Sequence, residues 1–459
     1  MAEHVICITA NAGLPLLTRS KPGCPPMTFP FIGSLYGVHM FGSNQGASLQ
    51  STVTVHHRVV WKTYHESIVL IVVAPNEDRK SKNQPVTNRR ESDSALELQQ
   101  SSRNLTSTVP DDHLFRLADN IFNALVMLIG IDDLVKFRSI DHLKKALKSS
   151  YHIIDSFLES DTVMKKNENC PLFGDLTQCV DVAVNTEAKF LEKEHLQEFA
   201  KAAGSKYGCL VVDGRLLCAT ESWWLLDGQE LALLSRLISL FPPSVTASDI
   251  PVFLPNVSPA IPHRLVMLTL IVRPRGGVRV CVLCGPEPSL MEIKERFVQS
   301  FWGPVTNNLQ RCCTPTSIPD ATASLLPSDL LAFLLVDIEI NRCLSYFTPP
   351  GGKEIVNRRK QQKSTSDYEP SWLYDKLVEF YKCVVGTSFP FPENEDDTSH
   401  DSTPHAGIAH YRCLRRHKCF ALVKSQYQLF ALYSKETPTY AMQGLTERIL
   451  KVLSKDDLL

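Results

Sequence analysis

Two short stretches of this chain have the residue types and spacing that covalent or metal chemistry uses. Cys281-Val-Leu-Cys284 has the spacing of a redox dithiol or of half a zinc site. It lies inside Val278–Cys284, which reads as a strand, and residues three apart on a strand point to opposite faces. No second Cys-x-x-Cys accompanies it, so both thiols are predicted to be core residues. His410-Tyr-Arg-Cys413 followed by His417-Lys-Cys419 gathers two imidazoles and two thiols in ten residues, a donor set that a tetrahedral Zn²⁺ uses. Arg412, Arg415, Arg416 and Lys418 crowd the same segment and repel a cation. The basic edge of a hairpin is therefore the favoured reading there.

Other conspicuous residues have plainer readings. His56-His57-Arg58 falls at a strand boundary and is expected in an exposed turn. Trp223 and Trp224 are adjacent and cannot share one face, so one is predicted in the core and the other on a contact surface. Lys144-Lys145 is predicted as a solvated helix face. Arg358-Arg359-Lys360 with Lys363 sits in a polar loop, solvated or touching acidic lipid or protein. The chain has no Gly-x-x-x-x-Gly-Lys-Ser/Thr, no Gly-x-Ser-x-Gly, no His-Glu-x-x-His, no kinase set and no Rossmann glycine fingerprint after a strand. We expect no catalytic residue, no metal ligand and no cofactor, and a protein that works by contact. A thiol or zinc enzyme would require a bound metal or a cysteine of low pKa.

The totals agree with that reading. Lys+Arg number 48 against 49 Asp+Glu, so no global field favours nucleic acid or an anionic membrane. The N-terminus lacks the basic and apolar regions of a signal peptide, and no apolar run approaches the roughly 18 residues that span a bilayer. The 14 cysteines, singly or in close pairs at irregular intervals, are then expected to be reduced thiols of a soluble cytoplasmic protein. A length of 459 residues is too great for one core and suggests about three domains.

What must be positioned, then, is a surface. Phe31–Gly42 is predicted to be a short helix in which Ile32, Leu35, Tyr36, His39 and Met40 have the spacing of a packed face. Gly33 and Gly37 stand four apart on one side, and each costs about 1 kcal/mol of helix stability relative to alanine. Such a pair implies close approach of another backbone, either the domain's own sheet or a second protein. Pro30 suits the first turn and Gly42 the position that ends the helix.

Around that helix the pattern is strand, strand, helix, then a three-stranded meander ending in the buried run Ser67–Ala74. Two further helices, from Asp111 to Gly130 and from Ser139 to Ser160, complete a first domain over 1–160. Residues 76–110 within it are polar, predicted disordered and open to phosphorylation. A second α/β unit over 171–310 starts with a strand at Leu176–Val184 and a helix at Thr186–Ala203. It continues with a hairpin turning at Asp213-Gly214, a helix at Gly228–Leu240, three strands and a closing helix at Leu290–Asn308. A third unit covers 328–459. Its opening segment, Asp329–Asn341, is ambiguous between helix and strand, with its second half leaning to strand. Flexible loops are expected at 351–368 and 390–408. The fold class is α/β: three tandem units, each a mainly antiparallel sheet flanked by helices.

Several stretches are specific as a set: Ile32–Gly42, Val59-Val-Trp-Lys62, Leu143-Lys-Lys145, Ser156-Phe-Leu158 and Gly174–Val180. Ala219–Trp224, Val252-Phe-Leu-Pro255, Pro262-His-Arg-Leu265 and Leu283-Cys-Gly-Pro286 extend it. In these the chain resembles the Fuzzy family of planar cell polarity effectors. The resemblance runs from the first unit through the second, is weaker in the last third, and does not include loops 76–110 and 351–368. It implies three longin/roadblock-like domains and a partnership with an Inturned-like tri-longin subunit. It also implies a WD-repeat partner, the Fritz homologue, and a small Rab-type GTPase whose nucleotide exchange the heterodimer promotes. The implied setting is cilium biogenesis: protein and membrane transport to the cilium, intraflagellar transport components at the basal body, and a place at the cytoskeleton. By the same resemblance the partner and GTPase platform is carried by the first helix and third strand, on Phe31, Gly33, Leu35, Tyr36, Gly37, Met40, Thr52 and Thr54. A scaffold without exchange activity is the alternative.

Overall fold

The computed structural model describes residues 2–76, 111–159, 172–242, 244–273, 276–313, 317–348, 369–388 and 409–455. The loop expected at 76–110, apart from Asn76, and those expected at 351–368 and 390–408, with Arg358, Arg359, Lys360 and Lys363, lie outside the described residues. The described chain divides into two compact units, one built on the first of three sheets and the other on the remaining two.

In the first unit β1 (His4–Thr9), β2 (Pro15–Ser20), α1 (Phe29–Asn44), β3 (Ser51–Val53), β4 (His57–Tyr64) and β5 (Ile68–Pro75) form an antiparallel sheet of order β2-β1-β5-β4-β3. β5 is buried along nearly its whole length because helices cover both faces of this central strand. Alternation along β4 separates the two layers. Val59 and Trp61 join Ile6, Ile8, Val69, Ile71 and Val73 against Ile32 and Leu35 of α1. Lys62 and Tyr64 face the other way, onto α2 (Asp111–Ile129): the Lys62 ammonium and Tyr64 hydroxyl donate to Asp119 at 2.9 and 2.8 Å. Tyr64 also stacks on Phe122 at 4.1 Å. α3 (Ile140–Leu147) and α4 (Tyr151–Glu159) pack near the β2 edge, where Arg19 pairs with Asp155 and lies 4.5 Å over the Tyr151 ring.

The helix around the glycine pair is longer than the sequence pattern suggests. Pro30 does stand in its first turn. Gly42 lies inside the helix, not at its end. The helix runs on to Asn44, and Gly46, at φ +72°, takes the left-handed conformation that releases the chain.

The second unit contains a strap that joins its two sheets. A strand read at Leu176–Val184 is in fact a short helix, α5 (Gly174–Thr177), followed by the two-residue strand β6 (Val180–Asp181). β6 is a parallel edge strand not of the adjacent sheet but of the third one. Val182 then donates to Cys343 and Ala183 to Leu216, so consecutive amides bond to different sheets. The Asp181 carboxylate holds the strap by accepting from the Phe173 and Gly174 amides at 2.9 and 2.7 Å. Burial pushes this carboxyl up to about 6, partly offset by the Arg215 guanidinium.

The second sheet comprises β7 (Gly208–Val212), β8 (Arg215–Ala219), β9 (Ala247–Leu254), β10 (Ser258–Arg273) and β11 (Gly276–Cys284), in order β8-β7-β11-β10-β9. The Asp213-Gly214 turn has φ of 50° and 85°, both positive, as a two-residue hairpin favours. On one face, α6 (Gly228–Leu240) begins at an Asp227 cap whose side chain accepts from the Gln229 amide at 2.9 Å. On the other, the helices predicted at Thr186–Ala203 and Leu290–Asn308 both contain wider π turns, at Glu192–Leu196 and Ile293–Trp302. These pack Phe199 against Trp302 over the sheet.

The third sheet comprises β12 (Leu330–Asp337), β13 (Arg342–Phe347), β14 (Ala409–Cys413), β15 (His417–Lys424) and β16 (Tyr427–Ser434), in order β14-β15-β16-β12-β13-β6. α7 (Pro370–Ser388) covers one face through Tyr381 on Phe430, and α8 (Met442–Lys455) the other through the Tyr433–Thr446 hydroxyl pair. In the opening segment the strand is the first half. The alternating Asp337–Ile340 is a turn, with the Asp337 side chain accepting from the Glu339 and Ile340 amides at 3.0 and 3.3 Å.

Candidate docking interface

α1 has two faces. The inner one carries Ile32 and Leu35 into the sheet core, where burial stabilises by about 1.5–3 kcal/mol for each full side chain. His39, also buried there, has its imidazole pushed down by the same burial. Tyr36 is half-buried over Gly13 and donates its hydroxyl to the Ala10 carbonyl at 3.2 Å.

The outer face is apolar and uncovered among the described residues. A Cβ placed on Gly33 or Gly37 would meet nothing within 4 Å. Close packing on the domain's own sheet therefore does not explain this glycine pair. Phe29 and Phe41 stand four residues before Gly33 and four after Gly37, so all four residues fall on one ridge. Both phenylalanines are 69% exposed, and Val38 beside them is 51% exposed. Between the two phenylalanines the helix surface thus carries no side chain at positions 33 and 37. The sheet adds β3, an edge strand of three residues that ends in the exposed Val53, with exposed Val55 just beyond it.

Of the residues expected on this platform, Phe31, Gly33 and Gly37 lie on exposed positions of α1. Thr52 is half-buried on β3. Thr54 is exposed, its hydroxyl donating to the His57 carbonyl at 2.8 Å and accepting from that residue's amide. Met40 is half-buried. Leu35 requires correction: it points into the core and offers nothing to a partner, because it shares the inner stripe with Ile32 and His39. Phe29, Val38 and Phe41 were missed. The signal for the phenylalanines is the four-residue spacing extended outward from the glycines: Phe29 falls outside a helix bounded at 31, whereas Phe41 lies inside it but off the packed face of Ile32, Leu35, Tyr36, His39 and Met40.

The chemistry-bearing clusters do not assemble. Cys281 sits opposite Cys209 across β7 and β11, while Cys284 lies on the other face. Burial pushes the Cys7, Cys312 and Cys419 thiols up to about 12 and Cys284 to about 11, which suppresses the nucleophilic thiolate. His417 is buried edge-on to Trp372 at 5.0 Å, and Cys413 turns towards Thr439. Among the described residues no three His, Cys, Asp or Glu side chains are placed to hold a metal. No helix among them is long and apolar enough to cross a membrane. Trp223 is core. Trp224 is half-buried, and the Arg342 guanidinium lies 3.6 Å over its ring.

Comparison with known proteins matches each sheet to one family model. Residues 3–84 match the first Longin domain of FUZ, MON1 and HPS1, 203–302 the second and 329–457 the third. The chain is 34% identical to the Protein fuzzy homolog of Xenopus tropicalis, over 98% of both chains. It is also 34% identical to that of Homo sapiens, over 98% of this chain and 97% of the relative. The chain belongs to the Fuzzy family. Each sheet with its helices is a longin domain, and the helix between the second and third strands of each is α1, α6 and α7 in turn. The matched ranges leave out 172–184, the strap that carries β6.

Proposed function

We propose that this member of the Fuzzy family is a non-enzymatic planar cell polarity effector, one half of a heterodimeric exchange factor for a Rab-type GTPase. Its other half is an Inturned-like tri-longin subunit, with a WD-repeat Fritz homologue in the wider assembly. The observation that carries the reading is the outer face of α1: an apolar ridge with two open glycine positions beside the edge strand β3. Pairing there would bury Phe29, Val38 and Phe41 and create a joint platform for the GTPase. Exchange of this kind needs no nucleophile. The factor binds the nucleotide-free GTPase more tightly than the loaded form and so shifts the population towards release. Buried thiols of raised pKa are in keeping with a role by contact. The cellular role would be transport of proteins and membrane to the cilium and recruitment of intraflagellar transport components at the basal body.

The test is release of a fluorescent nucleotide from ciliary Rab-type GTPases by this chain alone, by the Inturned-like subunit alone and by their complex. Acceleration by the complex only is expected. A stable complex that accelerates none of them would overturn exchange and leave a scaffold, a choice that the fold alone does not make.

A further inference from the structure

The edge of the third sheet opposite β6 has a second surface that the pairing of α1 does not use. β14 is bonded to β15 on one side, and no strand lies on its other side among the described residues. The ten residues Ala409–Lys418 hold four Lys/Arg and no Asp or Glu. Arg412 and Arg415 form no ion pair among the described residues, and Glu379 on α7 is engaged by Lys376 at 2.7 Å. Cationic residues on an edge strand guard it against pairing with other chains. Guarding alone leaves unexplained the aromatics beside them. Tyr411 is 61% exposed, Leu414 is exposed, and Tyr440, next to the Thr439 that Cys413 contacts, is 90% exposed.

We propose that this edge takes an extended acidic peptide from another protein as an added strand. Alternation dictates what such a peptide looks like. On β14, His410 and Arg412 face the α7 side, whereas Tyr411 and Cys413 face the opposite side near Tyr440. A strand added to the edge sets its own residues alternately on those two sides, acids towards Arg412 and apolar side chains towards Tyr411 and Tyr440. Main-chain bonds supply affinity and the two rows supply selection. The same sheet already accepts a strand at its far edge, where β6 pairs with β13. An anionic bilayer meets the charge but offers no backbone to the open edge, so the peptide is the favoured occupant.

The test uses the full chain and a fluorescein-labelled peptide of alternating glutamate and valine. A lysine–valine peptide and phosphatidylserine-containing vesicles serve as comparisons. The expected result is binding of the acidic peptide with slowed amide exchange in β14, and affinity reduced roughly tenfold by R412E/R415E. R415E alone, in the exposed loop, should give a smaller loss without affecting folding. Equal binding of the lysine–valine peptide overturns the proposal. So does vesicle binding with no peptide binding, or β14 exchange unchanged at saturating peptide. The outcome is independent of whether α1 pairs with a second subunit.

Discussion

α1 and α6 occupy the same place in two longin domains of identical strand order, yet their outer faces have opposite surroundings. Both lay one face on a sheet. On the other side α6 is covered by its own chain: α5, β6 and the β12–β13 turn press on it, and Leu231, Leu233, Leu234, Leu237 and Ile238 are all buried. A Cβ on Gly228 would come 2.5 Å from Asn341, and one on Gly174 would reach the Ala232 methyl at 3.8 Å. On α1 the glycines meet no atom among the described residues, and two phenylalanines are exposed. A helix that is hydrophobic all round belongs in an interior. The second domain builds that interior from the strap at 172–184. The first domain leaves the same face apolar and unfilled, which is the physical argument for a partner there.

The contrast can be broken most forcefully by truncation. Leu234→Ala, at a fully buried site of α6, should lower unfolding stability by about 2–5 kcal/mol. Phe41→Ala on α1 should change it by no more than about 0.5 kcal/mol while weakening association with the proposed Inturned-like subunit. Chemical denaturation of the full chain and titration with the partner read the two effects separately. If F41A destabilised as much as L234A, the outer face of α1 would be interior after all.

The glycines give a sharper version. Gly228→Ala should cost about 1–3 kcal/mol by overpacking against Asn341. Gly37→Ala should stabilise by about 1 kcal/mol, since it improves helix propensity and meets no atom. Gly37→Leu should leave the melting temperature of the free chain intact and weaken pairing. Opposite signs for the two alanine variants are the expected outcome.

A smaller effect should follow from pH, through the strap that covers α6. Asp181 titrates near 6 in the folded protein, above the ordinary carboxylate value, so the folded state binds the proton more readily than the unfolded one. Its contribution is full below the unfolded pKa and is lost as pH rises through about 6. Exchange of the Val180 and Val182 amides, corrected for intrinsic rates, should therefore be slower at pH 5 than at pH 7. Asp181→Asn should flatten that difference, whereas amides of α1 should not follow it. Arg342→Leu removes the guanidinium from Trp224 at the same junction, an interaction worth about 0.5–2 kcal/mol. Thermal denaturation of the second unit should register it and the first unit should not move.

Much of this was legible along the chain. Short apolar runs on either side of an Asp-Gly turn fix β7 and β8, and the continuous apolar run at 67–74 marks the central β5. Periodicity also separates the buried Ile32 and Leu35 from their neighbours, although a helix bounded at 31 leaves out Phe29. Two-sided patterns mislead where local chemistry competes. Asp337–Ile340 alternates like a strand, but the Asp337 side chain satisfies the backbone of a turn. Gly42 resembles a helix end, yet nothing there requires a positive φ, and Gly46 does.

By itself the sequence determined three α/β units, the place of the first helix within its sheet and the absence of recognisable catalytic motifs, because these depend on periodicity and short-range spacing. Tertiary structure decided that β6 crosses to a distant sheet, that α6 is covered on both sides and that the glycines of α1 face outward. Those facts depend on which surfaces meet across well over a hundred residues, and a local pattern shows that a face is apolar without showing what covers it.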